Sequence, residues 1–339
     1  MAKFRIIQAN PELYQKEIIG FWQAYLPGTP PQRLQWLQTN PAGPAIWFLA
    51  FEEESNKLAG TLTVTPRNMY MQGSIIQVGI MGDFMTASQY RIFGPAMALQ
   101  RMAVKLIKDN NYKFIYTLPN DASIKIAQRV GFDKTVKLHY LVKPISVSHY
   151  LNKYLNNIAV KFVEPVFKII LNLLSKDTYM LGKGFYDESS KIDESFDVLW
   201  KTVKCNYNGL IGVHDSQYLS WKYVHNPSHK YKVVTYRDEE FGPCLGYMIF
   251  TISDKKIEVF DILTVNNKVV ERLIKRIIRI AKKMHCQALY IRLSETNSLL
   301  KIINQFGFFD ARNEAGILTC GVDDKLYSKW QFFEGDRNT

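Results

Sequence analysis

The chain has 339 residues, 47% hydrophobic and 22% charged, a globular mixture long enough to bury two cores. Its apolar runs, of which "AIWFLAF" is typical, stop far short of the roughly 18 to 20 residues of a membrane-spanning helix, so a transmembrane reading is excluded. The 43 basic against 31 acidic residues give a net charge of +12, which favours an anionic partner without choosing among nucleic acid, an acidic membrane face and a phosphorylated small molecule.

The segment "MAKFRIIQANPELYQ" has neither the apolar core nor the small-residue cleavage site of a secretory signal, so a cytoplasmic location is expected. Further on, "QRLQWLQTNPAGPAIWFLAFEEESNKLAGTLTV" predicts a helix, an alternating strand, a charged turn and a second strand. It lines up with "QYLSWKYVHNPSHKYKVVTYRDEEFGPCLGYMIF" at an offset of about 186 residues, sharing Q-x-L-x-W and Asn-Pro. The match continues from "IMGDFMT" to "VFDILT", through a long helix and a strand, to Gly131-Phe132 and Gly307-Phe308. The chain is therefore expected to hold two copies of one mixed α+β unit, at 1–143 and 196–339.

Within the first copy, "IIQVGIMGDFMTASQYRIFGPAMALQRMAVKLIK" predicts a strand, a short loop and a long helix. The loop reads Arg91-x-x-Gly94-x-Ala96, with Gly94 suited to the helix N-cap and Pro95 to the first helical position. The free N–H groups of such a helix start, with Arg91 beside them, suit a phosphate; the alternative is that glycine and proline merely start a helix. Gly79 and Gly82 permit a bulge in the preceding strand.

Residues 144–195 predict a linker. Apolar positions 151, 155, 158, 162, 166, 169, 170 and 173 give amphipathic helices broken at Pro165, with Lys153, Lys161, Lys168 and Lys176 on the other face. Packing on the domains and peripheral contact with anionic lipid through residues 148–176 are both open. "YDESSKIDESFD" reads as a loop. In the second copy, "KVVERLIKRIIRIAKKMH" is a basic amphipathic helix without interleaved aromatics. A solvated face explains it better than nucleic acid, and no nucleic acid is expected. The dispersed Cys205, Cys244, Cys286 and Cys320 read as reduced thiols. His225 and His229 are separated by Pro227, and no metal site is expected.

Strand, R-x-x-G-x-A loop, long helix, "KFIYTLPN", a helix with Ser123 and the terminal "RVGF" together resemble the GNAT N-acetyltransferase superfamily. "FDVLW", "YLSWKYVHNP" and "WQFFEGD" are similar to tandem members associated with bacterial cell-surface or polysaccharide synthesis. The resemblance implies two GNAT-like mixed-sheet domains joined by a helical linker, and transfer of an acyl group from acetyl-CoA or another acyl-CoA to a small-molecule amine. An amino sugar or cell-envelope precursor is the expected acceptor. It implies Arg91, Gly94 and Ala96 at the pyrophosphate, Asn120 at the pantetheine arm, and Met85, Phe93 and Ser123 as further cofactor-binding residues. Asp83 is the best-placed carboxylate to act as base and Ser123 the other expected catalytic residue, although capping or bracing the loop is the favoured reading of Asp83. The superfamily's usual acidic tyrosine is replaced by Ala127, leaving Ser123, Tyr116 or water. The second copy lacks the glycine loop and is expected not to bind CoA productively. An inactive acyl-CoA-binding scaffold and a basic nucleic-acid binder are the competing readings.

Overall fold

The computed structural model describes residues 2–91, 94–109, 111–146, 165–166, 169, 175–176, 184–189, 191–313, 316–322 and 329–337. The N-terminal half runs β1 (Phe4–Ala9), α1 (Gln15–Tyr25), α2 (Gln32–Gln38), β2 (Ile46–Glu52), β3 (Leu58–Met71) and β4 (Ser74–Thr86). It continues through α3 (Ala96–Lys108), β5 (Ile115–Thr117), α4 (Asp121–Arg129), β6 (Lys134–Val136) and β7 (Leu138–Pro144). The C-terminal half runs β8 (Phe185–Asp187), α5 (Glu194–Cys205), β9 (Leu210–Gly212), α6 (Ser216–Leu219), β10 (Lys232–Arg237), β11 (Gly246–Ser253) and β12 (Lys256–Thr264). Then follow α7 (Asn267–Lys283), β13 (Ala288–Ser294), α8 (Leu300–Asn304), β14 (Phe309–Asn313), β15 (Ile317–Cys320) and β16 (Trp330–Gln331).

Local chemistry sets these boundaries. Asn120, Asp193, Asp215 and Asn266 each accept a backbone N–H from the first turn of the helix they precede, satisfying donors that the helix itself leaves free. The β3–β4 hairpin turns through Gln72 (φ 45°) and Gly73 (φ 90°), and β11–β12 through Asp254 (φ 47°) and Lys255 (φ 58°). Both have the paired positive φ of a tight hairpin whose twist matches its strands. On α7, Val270, Leu273, Ile274, Ile277 and Ala281 are all buried, so the basic helix packs through one apolar face.

Two mixed sheets result, which is the α+β class expected. Along the first the order is β1-β2-β3-β4-β5-β15-β6, and along the second β8-β10-β11-β12-β13-β7-β14. In each, the strand second from the end comes from the other half of the chain: β15 joins β5 and β6, and β7 joins β13 and β14. Sheet membership therefore cuts across the sequence division at 143 and 196. The segment expected to be a loop at "YDESSKIDESFD" instead contributes β8 and the start of α5. Its acidic composition hides Phe185–Asp187, which pairs with β10 along the sheet edge and sets Tyr186 against Tyr236. Most of the linker, with the expected lipid-facing lysines at 153, 161 and 168, lies outside the described residues.

The two copies of Q-x-L-x-W meet. Trp36 and Trp221 stack with ring centroids 4.4 Å apart and planes 4° from parallel, and each indole N–H donates to the other's backbone carbonyl at 2.9 Å. The reciprocity marks an approximate twofold axis between the halves. The core around this pair draws Trp22, Trp47 and Leu49 from one half and Trp200, Tyr247 and Leu263 from the other.

Both sheets also open at the same place. β4 pairs in parallel with β5 only at Gly79–Ile115 and Ile80–Tyr116, and β12 with β13 only from Lys256–Ala288 to Val259–Ile291. In the second sheet the opening is filled by the chain itself. Phe333 bridges to Leu293, Ser294 and Asn297 bond the backbone of residues 330–332, and Arg292 pairs with Glu334. Gly335 lies so close to Tyr223 that a Cβ would fall 1.9 Å from its hydroxyl and 3.0 Å from the Phe260 carbonyl.

Candidate active site

In the first sheet the opening is a cleft of about 440 Å3. Met81 to Phe84 form one wall and Thr117 to Asn120 the other, where the two strands have parted. The divergence is fixed by an extra residue in β4: Thr61 opposes Met85 while Thr63 opposes Gly82, so a bulge lies at Asp83 and Phe84. Asp83 takes φ 45° there. The expected bulge in this strand thus falls immediately after Gly82 and not at Gly79, which pairs regularly with Pro66. The C-terminal half supplies Ser228, His229 and Arg337 to the same cleft.

Of the residues singled out from sequence, Asp83, Asn120 and Ser123 line this cleft, while Met85, Arg91, Gly94 and Ala96 do not. Those four lie at the end of β4 and around the start of α3, and Phe93 falls outside the described residues. The helix begins one residue later than expected: Pro95 is the cap, its carbonyl taking the Leu99 N–H at 2.9 Å, and Ala96 is the first helical residue. Proline suits both positions because neither needs its missing N–H. Gly94 is required sterically, since a Cβ would fall 1.8 Å from the Tyr90 carbonyl oxygen.

The Asp83 carboxylate is fully engaged. Arg33 reaches it with Nε at 3.0 Å and Nη2 at 3.3 Å, and the Thr63 hydroxyl donates to its Oδ2 at 3.0 Å. The arginine side chain is 6% exposed and the carboxylate 9%, so this is a buried, bidentate pair that holds α2 against the bulge. Ser123 donates to the Asn120 carbonyl at 3.0 Å and to its side-chain oxygen at 2.9 Å, forming the start of α4. Tyr116, one of the alternative proton donors expected from the sequence, is fully buried and donates to the Asp336 carbonyl at 2.6 Å. Burial holds its phenol well above the usual range, which removes it as a proton donor to the cleft.

Several residues at or behind the cleft are not assigned to it from the sequence, where His229 enters only as a candidate metal ligand. Gln100, one turn into α3, is fully buried beside the cleft with both side-chain amide atoms unpartnered. Unmet amide groups in such a place are rare and costly. His229 stands at the cleft rim, its ring against Tyr231 and Phe260. Desolvation, then the charges of Lys222 and Arg33, push its pKa below the ordinary histidine value of 6.5, although much of the residue remains accessible to solvent. Behind the rim Lys222 is 2% exposed and donates to the Arg337 carbonyl at 2.5 Å. Burial, with Arg33 and Arg67 nearby, lowers its pKa to about 7. In sequence, only the place of Lys222 next to the repeated tryptophan set it apart.

The parted parallel strands, the bulge and the helix-start loop define an acyl-CoA N-acyltransferase-like fold. Residues 8–135 match the family model of the Acetyltransferase (GNAT) domain. The chain thus carries a GNAT acetyltransferase domain over these residues. No protein of curated function matches it in sequence. Among solved structures it is similar to an Enterococcus faecalis protein of unknown function, named a probable N-acyltransferase, at TM-score 0.67 and 12% identity over 94% of this chain and 72% of that one. A GCN5-related N-acetyltransferase from Anabaena variabilis gives TM-score 0.65 and 13% identity over the same shares. Saccharomyces cerevisiae N-myristoyltransferase with bound myristoyl-CoA gives TM-score 0.60 and 9% identity over 94% and 79%. At these identities the likeness concerns the fold.

Proposed function

We propose that the protein transfers an acyl group from acyl-CoA to the amine of a small acceptor, with donor bound by the N-terminal half and acceptor entering beside the C-terminal half. The observation that carries this reading is the single cleft at the parting of β4 and β5, with walls from both halves. Acyl-CoA fits the residues present. Its pantetheine arm carries peptide-like amides, and Gln100 offers a donor and an acceptor that nothing in the protein satisfies. Arg91 is exposed beside the start of α3, where a pyrophosphate is favoured.

The thioester supplies an activated acyl carbon. The amine's lone pair forms the C–N bond while the C–S bond breaks, and the proton leaves the ammonium beforehand. His229, kept neutral at the rim, is the proton acceptor we infer. Backbone N–H groups of the bulged strand stabilise the developing oxyanion. Asp83, its oxygens already engaged, acts as a positioning residue through Arg33, and Ser123 holds the start of α4. With Ala127 at the cleft, the departing thiolate takes its proton from water. An amino sugar, whose amine is less basic than that of lysine, asks least of this sparse acid–base set and is the acceptor class to screen first.

Calorimetric titration with acetyl-CoA tests the reading. The wild type is expected to bind at one site, and Gln100→Leu to bind more weakly. Absence of binding by the wild type would remove the proposal, and binding without turnover on any amine screened would leave an acyl-CoA-binding scaffold. Gly94→Asp is the poorer variant, because the new side chain would displace the loop whatever its charge.

A further inference from the structure

A second cavity, of about 260 Å3, lies far along the sequence from the cleft and shares none of its lining residues. It is formed where the C-terminal half of α7 crosses the start of β10 and the end of β11. Arg276, Arg279, Ile280 and Lys283 fall at helical spacing on one face of α7, and Lys232 approaches from β10. Four cations therefore meet in one cavity against a single carboxylate, Glu188, which is taken up by an ion pair with Arg276 at 2.5 Å. The Arg276 Nε remains buried without a hydrogen-bond partner. Lys232, Arg279 and Lys283 are exposed.

Beneath this cationic rim the floor is apolar. Val233 and Phe250 are 3% and 2% exposed, and Met284, at the helix end, stands 50% exposed beside them. What the cavity offers beyond a solvated basic helix face is apolar surface at its mouth, half-exposed Met284 and partly exposed Ile252, which a nucleic acid would leave unused. Concentrated cations over an apolar hollow, with a flexible thioether at the mouth, suit a molecule with an anionic head and an apolar body.

We propose that this cavity is a docking site for an anionic phospholipid surface, the cations taking the head-group phosphate while Met284 and Ile252 meet the glycerol and upper acyl chains. The site is independent of the acyl-transfer reading and stands or falls without it.

Vesicle sedimentation of the full chain tests it, using phosphatidylcholine alone and an equimolar mixture with phosphatidylglycerol. The wild type is expected to sediment with the mixed vesicles only, less so as salt rises. In K232Q/R279Q/K283Q, which changes exposed side chains and spares the Arg276–Glu188 pair, the partition coefficient is expected to fall on the order of a hundredfold. Met284→Gln, which keeps the charge, is expected to weaken vesicle binding severalfold while leaving the binding of inorganic phosphate unchanged. Equal sedimentation of wild type and triple variant, or no binding by the wild type, overturns the proposal. Binding of inorganic phosphate or a DNA duplex that the triple variant loses, with no preference for anionic vesicles, assigns the cations to a soluble anion and also overturns it.

Discussion

Gln100 and Arg33 show how single side chains near the cleft set stability against binding. A buried amide with no partner destabilises the protein that carries it, so Gln100→Leu is expected to raise unfolding stability without ligand by about 1 to 2 kcal/mol. The same change is expected to weaken acetyl-CoA, and denaturant melts with and without ligand separate the two effects. Arg33→Met leaves the Asp83 carboxylate buried without its partner and is expected to cost about 3 kcal/mol; adding Asp83→Asn should recover most of that loss. Lys222 carries a pH signature. A lysine of ordinary pKa in the unfolded chain and about 7 in the folded one releases a proton on folding between those values, so its contribution to stability rises with pH from 7 toward 10.5. Lys222→Met should abolish this rise, read as the wild-type minus variant difference in unfolding free energy at each pH. His229 works in the same direction for activity: its lowered pKa is expected to carry the acidic limb of the rate profile below pH 6.5, and His229→Gln should remove that limb.

Among elements, the stacked tryptophans are the joint to test. Trp36→Phe and Trp221→Phe each remove one indole N–H and strand one buried carbonyl, and a double-mutant cycle is expected to show coupling of about 1 kcal/mol because the bonds are reciprocal. This joint was half legible in the sequence. The repeated Q-x-L-x-W gave away the duplication, since copies of one unit retain its pattern, yet nothing in one-dimensional spacing says that two copies of a residue will touch. Asp83, Asn120 and Ser123 could be placed near the cleft because the resemblance to the GNAT pattern put the end of β4 and the start of α4 there. Gln100 and Lys222 could not, because their importance comes from burial, and His229, legible only as a candidate metal ligand beside His225, gains its place at the cleft from the N-terminal half, with Arg33 nearly 200 positions away among its charged neighbours. Phe185–Asp187 was missed for a related reason: three residues in an acidic stretch become a strand only when β10 offers an edge.

At the scale of the whole molecule, the exchanged strands make each half incomplete. β15 completes the first sheet and β7 the second, so neither half holds all the strands of its own sheet. Cutting the chain within residues 147–174 is therefore expected to give fragments that are insoluble when expressed singly. Coexpressed, they should assemble as a one-to-one pair, which size exclusion and acetyl-CoA titration would report. The filled opening of the second sheet has a related meaning. There, Phe333 to Asp336 stand where a ligand would enter the first sheet, held by Leu293, Arg292 and Tyr223 rather than by contacts made afresh at every encounter. The second sheet thus holds a permanent guest from its own chain, and the free energy of that contact goes into folding.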